Sequence, residues 1–337
     1  MSIVRYLLVG IVVAMVAAGM SVVHALELVT TIALPGVKGR IDHLSADPGT
    51  HRIFVAALGN DSVEVVDTQS GQRRTISGLG EPQGVLYLPD SDRLFVANGG
   101  SNRVDLVDVA SLSVVRRVGG MDDADNVRYD ASTRQVWVGY GKGALRMLDP
   151  TSGESGGEIP LPGHPESFQL EQGGSRAYVN VPGARKVVVV DRTKRQVIDR
   201  WETPDATANF PMALDEKGQR LFVGARSPPV LLVYDTGSGK VVARLPIGKD
   251  TDDVFFDAER RRIYVICGEG KLNVFRQDAP DRYVVEKSLD TAPRARTGLF
   301  VPEEAKLYVA APASGAAPAR LLVYRRAEQP SSTVRYG

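Results

Sequence analysis

The sequence predicts an all-β fold: a single seven-bladed β-propeller of four-stranded antiparallel blades, its ring closed by the N-terminal strand. Three observations predict it. First, a four-residue phrase, a basic residue or glutamine followed by three mostly bulky apolar ones, recurs seven times: Arg52-Ile-Phe-Val55, Arg93-Leu-Phe-Val96, Gln135-Val-Trp-Val138, Arg176-Ala-Tyr-Val179, Arg220-Leu-Phe-Val223, Arg262-Ile-Tyr-Val265 and Lys306-Leu-Tyr-Val309. Second, the anchors Ile53, Leu94, Val136, Ala177, Leu221, Ile263 and Leu307 are spaced by 41, 42, 41, 44, 42 and 44 residues. A fixed period of this size, with several short strands in each repeat, marks a propeller. Third, the phrases lead into further apolar runs separated by polar turns. Leu231-Leu-Val-Tyr-Asp235, the turn Asp235-Thr-Gly-Ser-Gly239 and Lys240-Val-Val-Ala-Arg-Leu245 read as an antiparallel meander.

In chain order, residues 1–25 read as a signal peptide. Arg5 precedes an apolar run from Tyr6 to Val23, and Val23-His24-Ala25 supplies a small-residue cleavage site. An uncleaved anchor is the alternative, because such a run stands at the lower edge of what spans a bilayer. Cleavage is the expectation, which places the mature chain in the periplasm or outside the cell with no membrane span. Residues 26–326 form the propeller, and residues 327–337, with Pro330, a polar tail. Leu28–Gly36 precedes the first complete repeat yet resembles the end of one: Leu34-Pro35-Gly36 echoes Leu161-Pro162-Gly163. The seventh repeat in turn stops after Leu321-Leu-Val-Tyr324. The N-terminal strand is therefore expected to be the outer strand of the last blade, leaving no open sheet edge to template aggregation.

Each blade reads as four strands, in blade two Gly84–Leu88, Arg93–Asn98, Arg103–Asp108 and Val114–Val118. The third strand ends on aspartate in five repeats: Asp67, Asp108, Asp149, Asp191 and Asp235. Polar turns follow these carboxylates, and aspartate there accepts hydrogen bonds from the turn's own amides, so the row is expected to be structural.

Composition narrows the function classes. The chain is 43% hydrophobic and 24% charged, with 41 basic and 40 acidic residues. Only Arg5 of the charged residues lies in the leader, so the mature chain is neutral. A neutral chain without a basic, aromatic-interleaved groove argues against nucleic acid as a partner. The single cysteine, Cys267, lies in an expected strand and reads as a small core residue. Gly139-Tyr-Gly-Lys-Gly143 joins two expected strands and opens no helix, so it reads as a hairpin turn and not a phosphate loop. Asp122–Asn126 lacks the central glycine and distal glutamate of a calcium-binding loop.

Loops from all blades converge at the mouths of a propeller's central channel. Eleven residues before each anchor stand Asp42, Gln83, Asp125, Glu166, Phe210, Asp252 and Arg296; one position on stand His43, Gly84, Asn126, Ser167, Pro211, Asp253 and Thr297. Asn209 and Arg294 fall in equivalent loops. The first set is polar in six of seven blades and precedes an apolar strand (Val85, Val127, Phe168, Met212, Val254), a collar above an apolar wall. The candidate ligand-binding residues are Asp42, His43, Gln83, Asp125, Asn126, Glu166, Asn209, Asp252, Asp253 and Arg296. Converging carboxylates need a cation, water or arginine to offset their repulsion. A divalent cation is the cofactor such a collar would take, on His43, Asp125 and Asp252; oxygen ligands with one or two imidazoles suit calcium, magnesium or a transition ion. His43 and His164, on blades one and four, are expected across the ring from each other and not as joint ligands.

The repeat phrase, followed by Val-x-Val-Val-Asp and a Thr/Ser-Gly turn, resembles the YVTN-repeat β-propellers, in particular exported bacterial YncE-like proteins. The loop phrases Gly39-Arg-Ile-Asp-His43, Glu81-Pro-Gln-Gly84, Gly163-His-Pro-Glu-Ser167 and Asp250-Thr-Asp-Asp253 carry the same likeness. The resemblance covers the whole expected mature chain and implies a propeller; single-stranded DNA binding, claimed for one branch, does not fit the neutral charge. A more distant likeness to streptogramin lyases and lactonases brings no catalytic histidine pattern onto matching positions. The expected function is a monomeric exported protein holding a small polar ligand, a divalent cation or another exported protein at the channel mouth. Two alternatives stand. One is a metal-assisted lyase or lactonase, with Asp125 or Asp252 as metal ligand and His43 as base. The other is a scaffold without a ligand.

Overall fold

The computed structural model describes residues 26–326. The expected signal peptide and C-terminal tail lie outside the described residues. Seven sheets of four antiparallel strands follow one another around a ring. The innermost strands, in order, are Leu44–Asp47, Pro82–Leu88, Val127–Asp130, Phe168–Leu170, Thr207–Asp215, Thr251–Asp257 and Thr297–Val301. Blade two has its other strands at Arg93–Asn98, Arg103–Asp108 and Ser113–Gly119, matching the expected strands except for short extensions at the first and last. Leu26–Ala33 pairs antiparallel with Arg320–Arg326, Leu26 opposite Arg326 and Ala33 opposite Arg320, and so completes blade seven.

The recurring phrase is the second strand of each blade. Strands such as Arg93–Asn98 are buried on both faces after their first residue, which is why they read as continuous apolar runs and do not alternate. Their side chains fill hydrophobic clusters between neighbouring blades. Trp137 of blade three packs with Phe168, Val179 and Val188 of blade four, while Tyr308 and Val323 of blade seven pack with Ile53, Val55 and Val66 of blade one. Each sheet is thus sandwiched by its neighbours, and ring closure through Ile32 and Leu34 buries the last face.

Charged residues of the repeat tie strand ends. Asp67, Asp149 and Asp235 each accept, through Oδ1, the amide of a serine three residues on, at 2.7, 2.7 and 2.8 Å. The serine amides are the main cause holding Asp67 and Asp149 below the ordinary carboxyl range; for Asp235 the Ser238 hydroxyl, at 2.7 Å, comes first and the amide second. The other oxygen of Asp235 takes Arg220 Nη1 at 2.8 Å, and Asp108 pairs in the same way with Arg93, the opening residue of the phrase. The third-strand aspartates are structural, as their turns imply. Cys267 is fully buried, and burial pushes its thiol up to about 12. Tyr140 faces Ala144 across the Gly139–Gly143 hairpin.

Candidate functional site: a charged collar over a two-chambered channel

The loops entering the innermost strands bring the offset set to one face of the ring. Their backbones are irregular there: ladder register shifts between Pro82 and Val85, between Asn209 and Met212, and between Thr251 and Asp253. Such bulges turn successive side chains out of the strand alternation and toward the channel. Close approach of blades also matters. A Cβ on Gly84 would fall 2.1 Å from the Asp125 carbonyl oxygen, so blade two can abut the blade-three collar loop only with glycine there.

At the mouth, Arg40, Gln83, Asp123, Asp125, His164, Glu166, Phe210, Arg226, Asp252 and Arg296 surround a cavity of about 260 Å³. Asp125, His164 and Glu166 each present one ligand-type atom within 4.8 Å of the others. Asp125 is 6% exposed, and its Oδ1 has no hydrogen-bond donor. His164 Nδ1 lies 2.7 Å from the Gly141 carbonyl oxygen, which requires Nδ1 to carry the proton and leaves Nε2 with the lone pair in the neutral ring. Burial pushes the Glu166 carboxyl up to about 9, with Asp125 and Asp252 adding to the effect. Burial likewise raises Asp125.

Beneath the mouth, His43 stands among three carboxylates. Its Nδ1 is 3.5 Å from Asp253 Oδ1, and its Nε2 is 3.7 Å from Asp42 Oδ1 and 4.0 Å from Asp125 Oδ1. Asn126 Nδ2 adds a 3.4 Å contact to Nε2. Burial alone would lower the imidazole, yet the adjacent carboxylates, Asp253 foremost, raise it to about 10, so His43 is an imidazolium at neutral pH. Asp42 is 1% exposed; desolvation raises its carboxyl to about 7 against the pull of His43 and Arg40, whose Nη2 lies 2.7 Å away.

The expected ligand set therefore divides. Asp125 faces the cation-competent group and Asp252 does not: Asp252 pairs with Arg226 and has Arg296 Nε at 3.0 Å. Arg296 also bonds Asp250 at 3.0 Å, and the Arg226 guanidinium lies 4.0 Å from the Phe210 ring centre. Gln83 donates to Asp123 at 3.1 Å. Asp253 accepts the Gly298 amide at 2.8 Å. Asn209 lies off the channel: fully buried, it donates to Asn180 Oδ1 and Lys186 O, locking blade five to blade four.

The apolar wall serves two purposes. Val85, Val127, Phe168, Met212 and Val254 pack into the clusters between blades, and of them Val85 and Val127 also line the chamber below the collar, with Met212 and Val254 on an adjoining cavity. Strand alternation then points the next residues, Leu86, Arg128, Gln169 and Phe255 among them, at the channel. These line a second chamber of about 410 Å³, which reaches Pro48 and Pro302 in the turns of the opposite face. Arg226, His164 and Arg128 were not among the expected site residues. Arg226 is next to last in the second strand of blade five, Arg220–Ser227, and so reaches the same mouth at a different offset from its anchor. His164 precedes Glu166 by two residues in a loop phrase already singled out, which was the available signal.

Fold and site thus define a seven-bladed β-propeller with a charged collar at one channel mouth. No protein-family model matches the chain, and no curated protein matches it by sequence. Among solved structures it is similar to a chain of a mitotic checkpoint complex, at 14% identity and a TM-score of 0.76, covering 97% of this chain and 99% of that one. It is also similar to a chain of hydrazine synthase from Kuenenia stuttgartiensis, at 17% identity and a TM-score of 0.71, covering 82% of this chain and 96% of that one. At such identities the likeness is one of fold. Among the described residues, no helix is long and apolar enough to cross a membrane.

Proposed function

We propose that this propeller is a binding protein that holds a divalent cation at its channel mouth on Asp125, His164 and Glu166. The observation that carries the reading is the buried Asp125 Oδ1, which lacks a hydrogen-bond donor and belongs to a set of two carboxylates and one imidazole within 4.8 Å. A buried acceptor left unpaired costs free energy, and a cation would offset it. The Gly141 carbonyl on His164 is the kind of outer contact that orients a ligating imidazole. Two oxygens and a nitrogen suit calcium, manganese or zinc better than a thiolate-seeking ion. The bound ion, ringed by Arg40, Arg226 and Arg296, would present a docking point for a small polar ligand or the polar surface of another protein. The leader at residues 1–25 and the likeness to YVTN-repeat propellers support placing this activity outside the cytoplasm, in the mature monomer.

A lyase or lactonase reading is less well supported. It needs a base beside the cation, and His43 is protonated at neutral pH by the carboxylates around it.

The test is elemental analysis of chelator-treated and reloaded protein, with calorimetric titration of calcium, manganese and zinc chloride. One ion per chain in the native protein, lost in Asp125→Asn and Glu166→Gln while the melting temperature stays near that of the metal-free parent, is the expected result. Absence of saturable binding by all three ions overturns the proposal.

A further inference from the structure

The lower chamber contains a cation that no protein anion neutralises at close range. Arg128 projects from the innermost strand of blade three, and its guanidinium donates to two neutral acceptors, Val127 O at 2.9 Å and Asn126 Oδ1 at 3.1 Å. Among the described residues no carboxylate oxygen lies within 4.0 Å of it. Asp253 shares the chamber, but its two oxygens face His43 and the Gly298 amide. Burial pulls the guanidinium down from its ordinary value, with Asp253 and Asp125 opposing from a distance. A guanidinium has five N–H donors and stays charged in a protein. Two bonds are made here, so the fork retains free donors inside a chamber of about 410 Å³.

The surroundings specify the rest of a ligand. Leu86, Phe255, Leu299 and Phe300 line the same chamber and make it predominantly apolar, and Gln169 stands beside the arginine with its Nε2 already bonded to Met212 O at 3.0 Å. His43 and Asp253 pair with each other in this chamber and Glu303 stands in the turn at its far end, so Arg128 is the cation left without a close anion in a concave, mostly apolar space, the form of a small-molecule site. One unpaired cation matches one negative charge; a second would have no cation of its own and would stand near Asp253 and Glu303. A planar guanidinium fork binds a carboxylate through two parallel N–H bonds.

We infer that the lower chamber binds a small amphipathic monocarboxylate, its carboxylate on Arg128 and its apolar part against Phe255 and Phe300. The site opens on the face of Pro48 and Pro302, and it rests on the chamber alone, so it stands or falls separately from the cation at the mouth. The binding is non-covalent.

Phenylacetate and its neutral isostere phenylacetamide, titrated calorimetrically into the chelator-treated chain at pH 7.5, test the inference. Phenylacetate is expected to saturate at one per chain and to bind roughly 10- to 100-fold tighter than phenylacetamide, the usual worth of a charge-assisted pair. Arg128→Gln is expected to abolish that preference. Should Arg128→Gln fail to fold, Leu299→Phe narrows the chamber and leaves the guanidinium intact; it is expected to weaken phenylacetate while sparing metal binding. Binding that survives Arg128→Gln undiminished, or that disappears in Asp125→Asn and not in Arg128→Gln, overturns the inference by placing the carboxylate elsewhere. So does the absence of saturable binding of phenylacetate, benzoate and hexanoate up to about 10 mM, the weak end of a specific small-ligand site.

Discussion

His43 Nδ1 lies 3.5 Å from Asp253 Oδ1, so a residue entering blade one is tied to a residue entering blade six. Blade seven lies between those blades in the ring, so the contact bridges non-adjacent blades. It places a positive charge at the point where Asp42, Asp125 and Asp253 converge. An imidazolium there serves as an internal counter-ion for the collar.

Removal of that charge is expected to destabilise the ring. His43→Gln leaves three buried or half-buried carboxylates facing one another without their central cation. Breaking a buried charge pair by deleting one partner costs about 3–5 kcal/mol. For a domain of this size that is a fall in melting temperature of about 6–15 °C. The fall should be largest near pH 8 and smaller near pH 6, where Asp42 can take up a proton in the variant. Thermal melts at the two pH values measure it, and an equal fall at both would mean that His43 acts by packing and not by charge.

The stability of metal-free protein should decline as pH rises. Asp42 and Glu166 are raised from ordinary carboxyl values to about 7 and about 9, and His43 from its ordinary value to about 10. All three bind their protons more tightly folded than unfolded. The stability linked to them is therefore complete below the unfolded values and is lost as pH climbs through the folded ones. Carboxyls held low by partners, such as Asp47 and Asp130, act in the opposite sense and lose their contribution only in acid. The expected optimum for chelator-treated protein is mildly acidic, with melting temperature falling steadily from pH 6 to pH 9. Saturating divalent cation should flatten that slope. A metal-free optimum above pH 8 would show that the collar carboxylates are solvated and ordinary.

The ring should also depend on its N-terminal strand. Leu26, Ile32 and Leu34 are at most 8% exposed, and the strand that carries the first two completes blade seven. Deleting residues 28–36 removes the buried Ile32 and Leu34 and uncovers their partners, each apolar side chain worth roughly 2 kcal/mol on burial, and leaves Arg320–Arg326 an open edge. The deletion variant is expected to melt at least about 10 °C lower and to aggregate. A melting curve superimposable on that of the parent would mean that the ring is held without this strand.

These expectations came unequally from sequence and structure. The blades were legible because each second strand is buried on both faces, so Arg93-Leu-Phe-Val96 and its counterparts repeat one physical requirement at one interval. The closing strand was legible from Leu34-Pro35-Gly36, an end without a beginning. Much of the collar was legible too, since Asp42, Asp125, Glu166 and Asp252 share an offset from the anchors. What escaped depends on side-chain direction. Strand alternation brings the charged Arg128 into a chamber that its neighbour Val127 also lines, and the apolar pattern alone does not announce it. Nor does an offset tell which carboxylate meets an arginine: Asp252 is claimed by Arg226, a residue from another loop of the same mouth, while Asp125 Oδ1 is left without a hydrogen-bond donor.

Gly84 offers the most local test of how the collar is held. Its missing side chain lets blade two approach the Asp125 backbone, where a Cβ would sit 2.1 Å from the carbonyl oxygen and 3.2 Å from Val127 Cγ2. Backbone cannot yield as a flexible side-chain tip does, so Gly84→Ala has to push the two blades apart at the mouth. The same move shifts Asp125 relative to His164 and Glu166, on which the proposed cation site depends. The expected result is a folded ring whose melting temperature falls by about 3–10 °C, the effect of overpacking by one methyl against backbone. Cation affinity should weaken by more than the same substitution at Gly36 produces, where a Cβ meets nothing within 4 Å and only the positive φ of 82° is strained. Equal behaviour of the two variants in melting and in calcium, manganese and zinc titrations would show that blade contact at Gly84 does not position the collar.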